Sequence, residues 1–177
     1  MNMTSTTTST ATLATVSTEG FGDSTLNIDL TLLGDGVQTP KLLTLLYAKL
    51  PTADKDKGLG TGEFDWGAGL GLSKKLGIWT TYAEALYITP GTSQTYDPSP
   101  YWEWLAALNY RTGSNLRPGL SISGGTAPFA GAADPLQIKA RLGIIGSRNI
   151  SYSLSLIRGL SESSPDWGGG LFAYFDF

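Results

Sequence analysis

The residues able to do chemistry are few, and their spacing composes no catalytic centre. The chain has no histidine and no cysteine. That removes Ser-His-Asp and Cys-His nucleophile arrangements, thiolate metal sites and disulfides. The carboxylates Asp29, Asp65, Glu84 and Glu103 lie on separate segments, without the close pairing that general acid–base work requires. Asp54 and Asp56, in P-T-A-D-K-D-K-G, offer oxygen ligands but lack the ligand spacing of a calcium loop. G-L-G-T-G at 58–62 has neither the Lys-Ser/Thr nor the strand-to-helix setting of a phosphate loop. The expectation is therefore no enzyme, no metal and no cofactor. What remains is electrostatic. Asp29, Lys49, Asp65, Glu84, Glu103, Asn109, Arg111, Arg117, Lys139 and Arg141 are polar or charged residues embedded in apolar segments. Pointed into a membrane-spanning lumen, such groups set which solutes pass.

The elements that would point them are strands. From Glu63 to Lys74 the sequence reads E-F-D-W-G-A-G-L-G-L-S-K. Phe64, Trp66, Ala68, Leu70 and Leu72 share one parity, while Asp65, Gly67, Gly69, Gly71 and Ser73 share the other. This period-two alternation predicts a strand with an apolar and a nearly bare polar face. A soluble sandwich buries the large apolar face; a membrane barrel turns it to lipid and puts small or charged residues in the lumen.

The same alternation recurs at 24–33, 41–50, 78–89, 101–111, 116–123, 138–144, 150–156 and 167–177. With a Thr-rich strand at 4–20, this predicts about ten strands in an all-β, antiparallel, up-and-down transmembrane barrel. The domain reading is 1–19 as a Thr/Ser-rich leader or first strand, then 20–177 as the barrel. The opening M-N-M-T-S-T-T-T-S-T has neither a basic nor an apolar region, so no signal peptide is expected in it. Mean hydropathy is -0.03 and charged residues are 15%, the averages left when apolar and polar positions alternate and cancel. A net charge of -3 argues against nucleic acid as partner. Connections alternate long and short, as periplasmic turns and extracellular loops do. Outward aromatics sort by height. Phe64, Trp66, Tyr87, Trp102, Trp104 and Trp167 fall at the extracellular end. Trp79, Tyr110, Tyr152, Phe175 and Phe177 fall at the periplasmic end. Interfacial belts of this kind anchor a protein in a lipid bilayer, the expected partner.

Three segments, G-F-G-D-S-T-L at 20–26, K-L-P-T-A-D-K-D-K-G-L-G-T-G-E-F-D-W-G at 49–67 and S-E-S-S-P-D-W-G at 161–168 before a terminal Phe, carry a family resemblance. The chain resembles the outer-membrane channel family named for the meta-pathway of phenol degradation. In that family the middle motif usually reads K-L-P-T-G-D; here Ala53 stands in place of the Gly. The resemblance implies a bacterial outer-membrane barrel for passive uptake of small, hydrophobic or aromatic compounds. Family members have about twelve strands, so either a hairpin is lost or 4–20 replaces it. The C-terminal Phe177 resembles the signal read by the barrel-assembly machinery.

Acids come from the earlier strands and bases from the later ones, so opposite walls of the lumen are expected to carry opposite charge. The inward glycines at 67, 69, 71, 119, 143, 168 and 170 are expected to leave open space. The functional expectation is a narrow charged channel for small solutes. The alternative is a non-conducting structural or engineered minimal barrel whose side chains fill the lumen.

Overall fold

The structure, a computed structural model, describes residues 19–113, 115–146 and 150–175. Period-two segments become strands because each has one face to cover, and short connections pair each strand with the next. Nine result among the described residues: β1 (Ser24–Leu33), β2 (Lys41–Leu50), β3 (Asp65–Leu76), β4 (Trp79–Thr89), β5 (Tyr101–Tyr110), β6 (Leu116–Gly125), β7 (Leu136–Ile145), β8 (Ile150–Gly159) and β9 (Trp167–Phe175). They form one sheet in sequence order, every neighbouring pair antiparallel. The architecture is an all-β meander compatible with a barrel. Among the described residues β1 and β9 are its two edges, and both run in the same direction.

The predicted strand at 4–20 lies, but for Glu19 and Gly20, outside the described residues; those two are not in a strand. Several strands run one to three residues past the predicted ends, such as β6 to Gly125 and β8 to Gly159, and at three boundaries a predicted strand residue falls outside. Phe64 precedes β3, Ile78 sits in the turn before β4, and Arg111 lies beyond β5. Between β3 and β4 the turn is only residues 77–78, with Gly77 at φ 63. That left-handed conformation is cheap only without a Cβ.

The connections that follow β1, β3, β5 and β7, shortest at 77–78, stand at one end of the sheet, the short-turn end. Loops 51–64, 90–100, 126–135 and 160–166, the first three the longest connections among the described residues, stand at the other, the long-loop end. Register fixes the facing. Gly67, Gly69 and Gly71 of β3 pair with Ile88, Leu86 and Glu84 of β4, which pair in turn with Tyr101, Glu103 and Leu105 of β5. These residues share the inner face. On the outer face Leu120 is 58% exposed and Leu154 56%, whereas the buried apolar residues are the inward Leu43, Leu45 and Ile88. A sheet that exposes its large apolar side chains this consistently inverts the arrangement of a soluble protein.

The aromatic bands are sorted by height. Tyr87 and Trp102, cross-strand partners with centroids 5.0 Å apart, sit at the long-loop end. Trp79 and Tyr110, at 4.7 Å, sit at the short-turn end. Trp66, Trp104 and Trp167 join the first band, Tyr152 and Phe175 the second, and Phe64 lies just beyond β3 on the first. Phe177 is outside the described residues.

Candidate functional site: a charged lumen under interlocked loops

The inner face lines a partly open hollow of about 500 Å³, within the usual range for small-molecule sites. Asp29 on β1, Glu84 on β4 and Glu103 on β5 line it, facing Lys139 and Gln137 on β7. Leu45, Leu86 and Leu105 supply apolar wall between them. No ion pair joins Asp29, Glu84 or Glu103 to Lys139 among the described residues. The Tyr82 hydroxyl donates to the Glu84 carboxylate, and Gln137 Nε2 donates to Ser123 Oγ at 3.2 Å. Sequence reasoning passed over Tyr82, Ser123 and Gln137 as site residues, although their parity already marked them as inward.

Toward the short-turn end the lining turns basic. Lys75, Arg111 and Arg117 surround a second hollow of about 200 Å³ with Thr80 and Asn109. Arg111 reaches it from the turn, where its backbone N–H donates to Ile78 O at 2.8 Å. Arg141 donates from Nη2 to Asn109 Oδ1 at 2.8 Å, reaching across β6 at Gly119. A Cβ at Gly119 would stand 2.5 Å from that oxygen, so only glycine permits the bridge.

Two expectations are corrected. Asp65 does not stand on an acidic wall facing the bases. It is 5% exposed, at the long-loop rim, with Oδ2 2.7 Å from Lys49 Nζ. The glycines of β3 also do not open the lumen. A Cβ at Gly67 would meet Ile88 Cγ1 at 3.1 Å, and one at Gly71 would meet Tyr82 Oη at 3.1 Å and Leu43 Cδ1 at 3.3 Å. Their bareness is filled by neighbours, which lets this side of the sheet curve tightly and pack inside.

Above the cavity the long loops interlock. Lys49 Nζ also donates to Thr61 Oγ1 at 2.8 Å and lies 3.7 Å from Asp23 Oδ2. Asp23 Oδ1 accepts the Ala53 N–H at 3.1 Å, and Asp65 Oδ1 accepts the Gly91 N–H at 3.0 Å. Ser99 N–H donates to Pro128 O at 2.7 Å, and the Tyr96 and Phe129 rings stack edge-on at 5.7 Å. Leu136 N–H donates to Ser161 and Ser164 Oγ, each at 3.0 Å. Loops 90–100 and 126–135 are thus tied to each other, and Asp65 at the start of β3 ties loop 90–100 to the Lys49 cluster. Loop 160–166 is fastened to Leu136 at the start of β7. Asp54, weighed as a calcium ligand, instead caps a 3-10 turn by accepting the Asp56 N–H at 3.1 Å and the Lys57 N–H at 3.3 Å.

The residues that converge on Lys49 are those of the three sequence motifs' first two: Asp23 in G-F-G-D, Thr61 and Asp65 in the long middle run. A family model described as "Putative MetA-pathway of phenol degradation" matches residues 1–177, the whole chain. The chain belongs to that family. Within this phenol-degradation family member, the motif residues are therefore loop-fastening groups at the mouth of the lumen. No curated protein matches the chain.

Proposed function

We propose that this family member is an outer-membrane β-barrel channel through which small solutes cross passively. The observation that carries the reading is the pairing of an exposed apolar outer face with a charged, partly open hollow on the inner face. Lipid is the solvent that makes the outer face favourable. Charged groups facing a cavity within a membrane mark a solute path. The family's description ties the reading to phenol degradation, so small aromatic compounds are the solute class to try first. The aromatic bands would sit at the two membrane interfaces, with the long loops outside the cell and the short turns in the periplasm. The role is transport rather than catalysis, and the terminal strand is the segment offered to the barrel-assembly machinery.

Planar-bilayer recording of the refolded chain tests this. Discrete, reproducible conductance steps are expected. Silence from a well-folded sample would refute the channel and leave a structural barrel whose interior, already occupied by Leu43, Leu45, Tyr82 and Ile88 on one side, is closed.

A further inference from the structure

We propose that Lys49 is the latch of a cap over the long-loop mouth, and that releasing it opens the path to the cavity. The proposal rests on the channel reading and adds a regulation to it.

One ammonium holds three segments together. Its partners are Asp65 at 2.7 Å, Thr61 at 2.8 Å and Asp23 at 3.7 Å. Each carboxylate spends its second oxygen on a further loop: Asp23 on the Ala53 N–H, Asp65 on the Gly91 N–H. The segment before β1, loop 51–64 and loop 90–100 therefore meet at a single charge. Gly60 makes the approach possible, since a Cβ there would stand 2.6 Å from Asp23 Oδ1 and from Ala53 Cβ.

Desolvation separates this cluster from an ordinary surface pair. The side chains of Lys49, Asp23 and Asp65 are 12%, 9% and 7% exposed. Lys57 and Asp54, 3.5 Å apart in the same loop, are 59% and 46% exposed, the regime in which ion pairs contribute little. Two carboxylates around one ammonium leave the cluster with a net negative charge. Without Lys49 they would be buried, unpaired and mutually repelling, a state far costlier than the intact pair. The short route to relief is rehydration, which requires loop 51–64 and the segment before β1 to lift. Loops 90–100 and 126–135 remain joined through Ser99–Pro128 and Tyr96–Phe129. Opening is therefore confined to one side of the mouth, above Tyr47 and the cavity it lines.

The test uses the full chain refolded in lipid vesicles, with trypsin outside and single-channel recording on the same preparations. Loop 51–64 carries its own tryptic sites at Lys55 and Lys57. Proteolysis tracks the population of the open loop, and breaking a buried pair shifts such an equilibrium by on the order of a hundredfold or more. Lys49→Met is thus expected to speed loop cleavage by on the order of a hundredfold and to lengthen open dwell times. Thr61→Val leaves both charges in place and keeps the test available where Lys49→Met does not fold. It is expected to speed cleavage by on the order of tenfold. Lys49→Met with Asp65→Leu leaves Asp23 as the one orphaned carboxylate of the pair and relieves the mutual repulsion, so it is expected to cleave more slowly than Lys49→Met alone. Unchanged cleavage in both Lys49→Met and Thr61→Val would overturn the latch. Faster cleavage with unchanged dwell times would overturn its role in gating. Silence of wild type and variants in the bilayer would instead overturn the channel itself, with the cleavage rates still reporting whether Lys49 holds the loop.

Discussion

Leu120→Arg tests the facing of the whole sheet. Leu120 is the fifth residue of the ten in β6, paired with Leu108 and Ala140 on the outer face. At about 3.4 Å per residue it stands roughly 15 Å of strand from either end, near the middle of an apolar band about 25 Å tall. With 58% of its surface exposed, it makes few contacts within the chain for an arginine to lose. On a water-facing surface the substitution would change stability by no more than about 0.5 kcal/mol. Facing hydrocarbon near the midplane, it should cost about 2–4 kcal/mol. The control is Ser123→Arg, three residues on and turned into the cavity beside Gln137, for which a cost below about 1 kcal/mol is expected. Equilibrium unfolding in guanidinium, with the protein reconstituted in vesicles, measures both. Leu120→Arg within about 0.5 kcal/mol of wild type would refute the lipid-facing assignment. A costly Ser123→Arg beside a harmless Leu120→Arg would mean the faces are reversed, since one residue of register slip exchanges them.

Glu103→Lys should move the reversal potential under a salt gradient toward anion selectivity, and Lys139→Glu toward cation selectivity, because both line the cavity without an ion-pair partner among the described residues. Equal reversal potentials in wild type and both variants would place these charges off the conducting path. Gly69→Ala should destabilise by about 1–3 kcal/mol, since its Cβ would meet the β4 backbone at Leu86 Cα, 2.8 Å away, and no side chain there can yield. Gly113→Ala, with nothing within 4 Å of the added atom, should stay within about 0.5 kcal/mol in the same unfolding assay. Finally, the chain should fold only in detergent or lipid, because an apolar outer face this continuous is not tolerated on a soluble monomer; a monodisperse folded sample in plain buffer would refute the membrane reading.

Most of the fold was legible because facing is a local property of a strand. In β3 the order D-W-G-A-G-L-G-L already separates Trp66, Ala68, Leu70 and Leu72 from Asp65, Gly67, Gly69 and Gly71, and the observed register keeps that separation. Inward placement of Asp29, Glu84, Glu103, Lys139 and Arg141 followed from the same parity. Partners were not legible, because they depend on which strand ends and loops meet in space. Asp65 and Lys49 are sixteen residues apart in sequence yet directly opposite in the β2–β3 ladder. Asp23 joins them only because β1 pairs with β2 so that Thr25 faces Lys49. The carboxylates Asp54 and Asp56 stood out in loop 51–64 as oxygen ligands, but its fastening comes from Ala53 and Thr61, which flank them. The glycines misled for a related reason: a missing side chain signals either vacancy or close approach, and only the neighbours Tyr82, Leu43 and Ile88 decide which.

The height of each charge alters what the lumen does to a solute. The upper cavity sets Asp29, Glu84 and Glu103 against Lys139, so acids outnumber the base there. Below it, Lys75, Arg111 and Arg117 gather at the short-turn end, with Arg141 bound to Asn109 above them. The sequence order of acids and bases suggested a field across the lumen; the geometry gives that field a component along it. At the mouth Asp65 and Asp23 share the one ammonium of Lys49, so that cluster adds to the negative end. A small solute entering from the long-loop end meets a negative zone lined by Leu45, Leu86 and Leu105, then a positive one. Low-dielectric walls and restricted water strengthen both fields relative to bulk. An ion of either sign is attracted in one zone and opposed in the other, whereas a neutral molecule with an apolar body and a polar edge meets no such barrier. On the channel reading proposed above, an uncharged aromatic solute should therefore pass more easily than a simple ion.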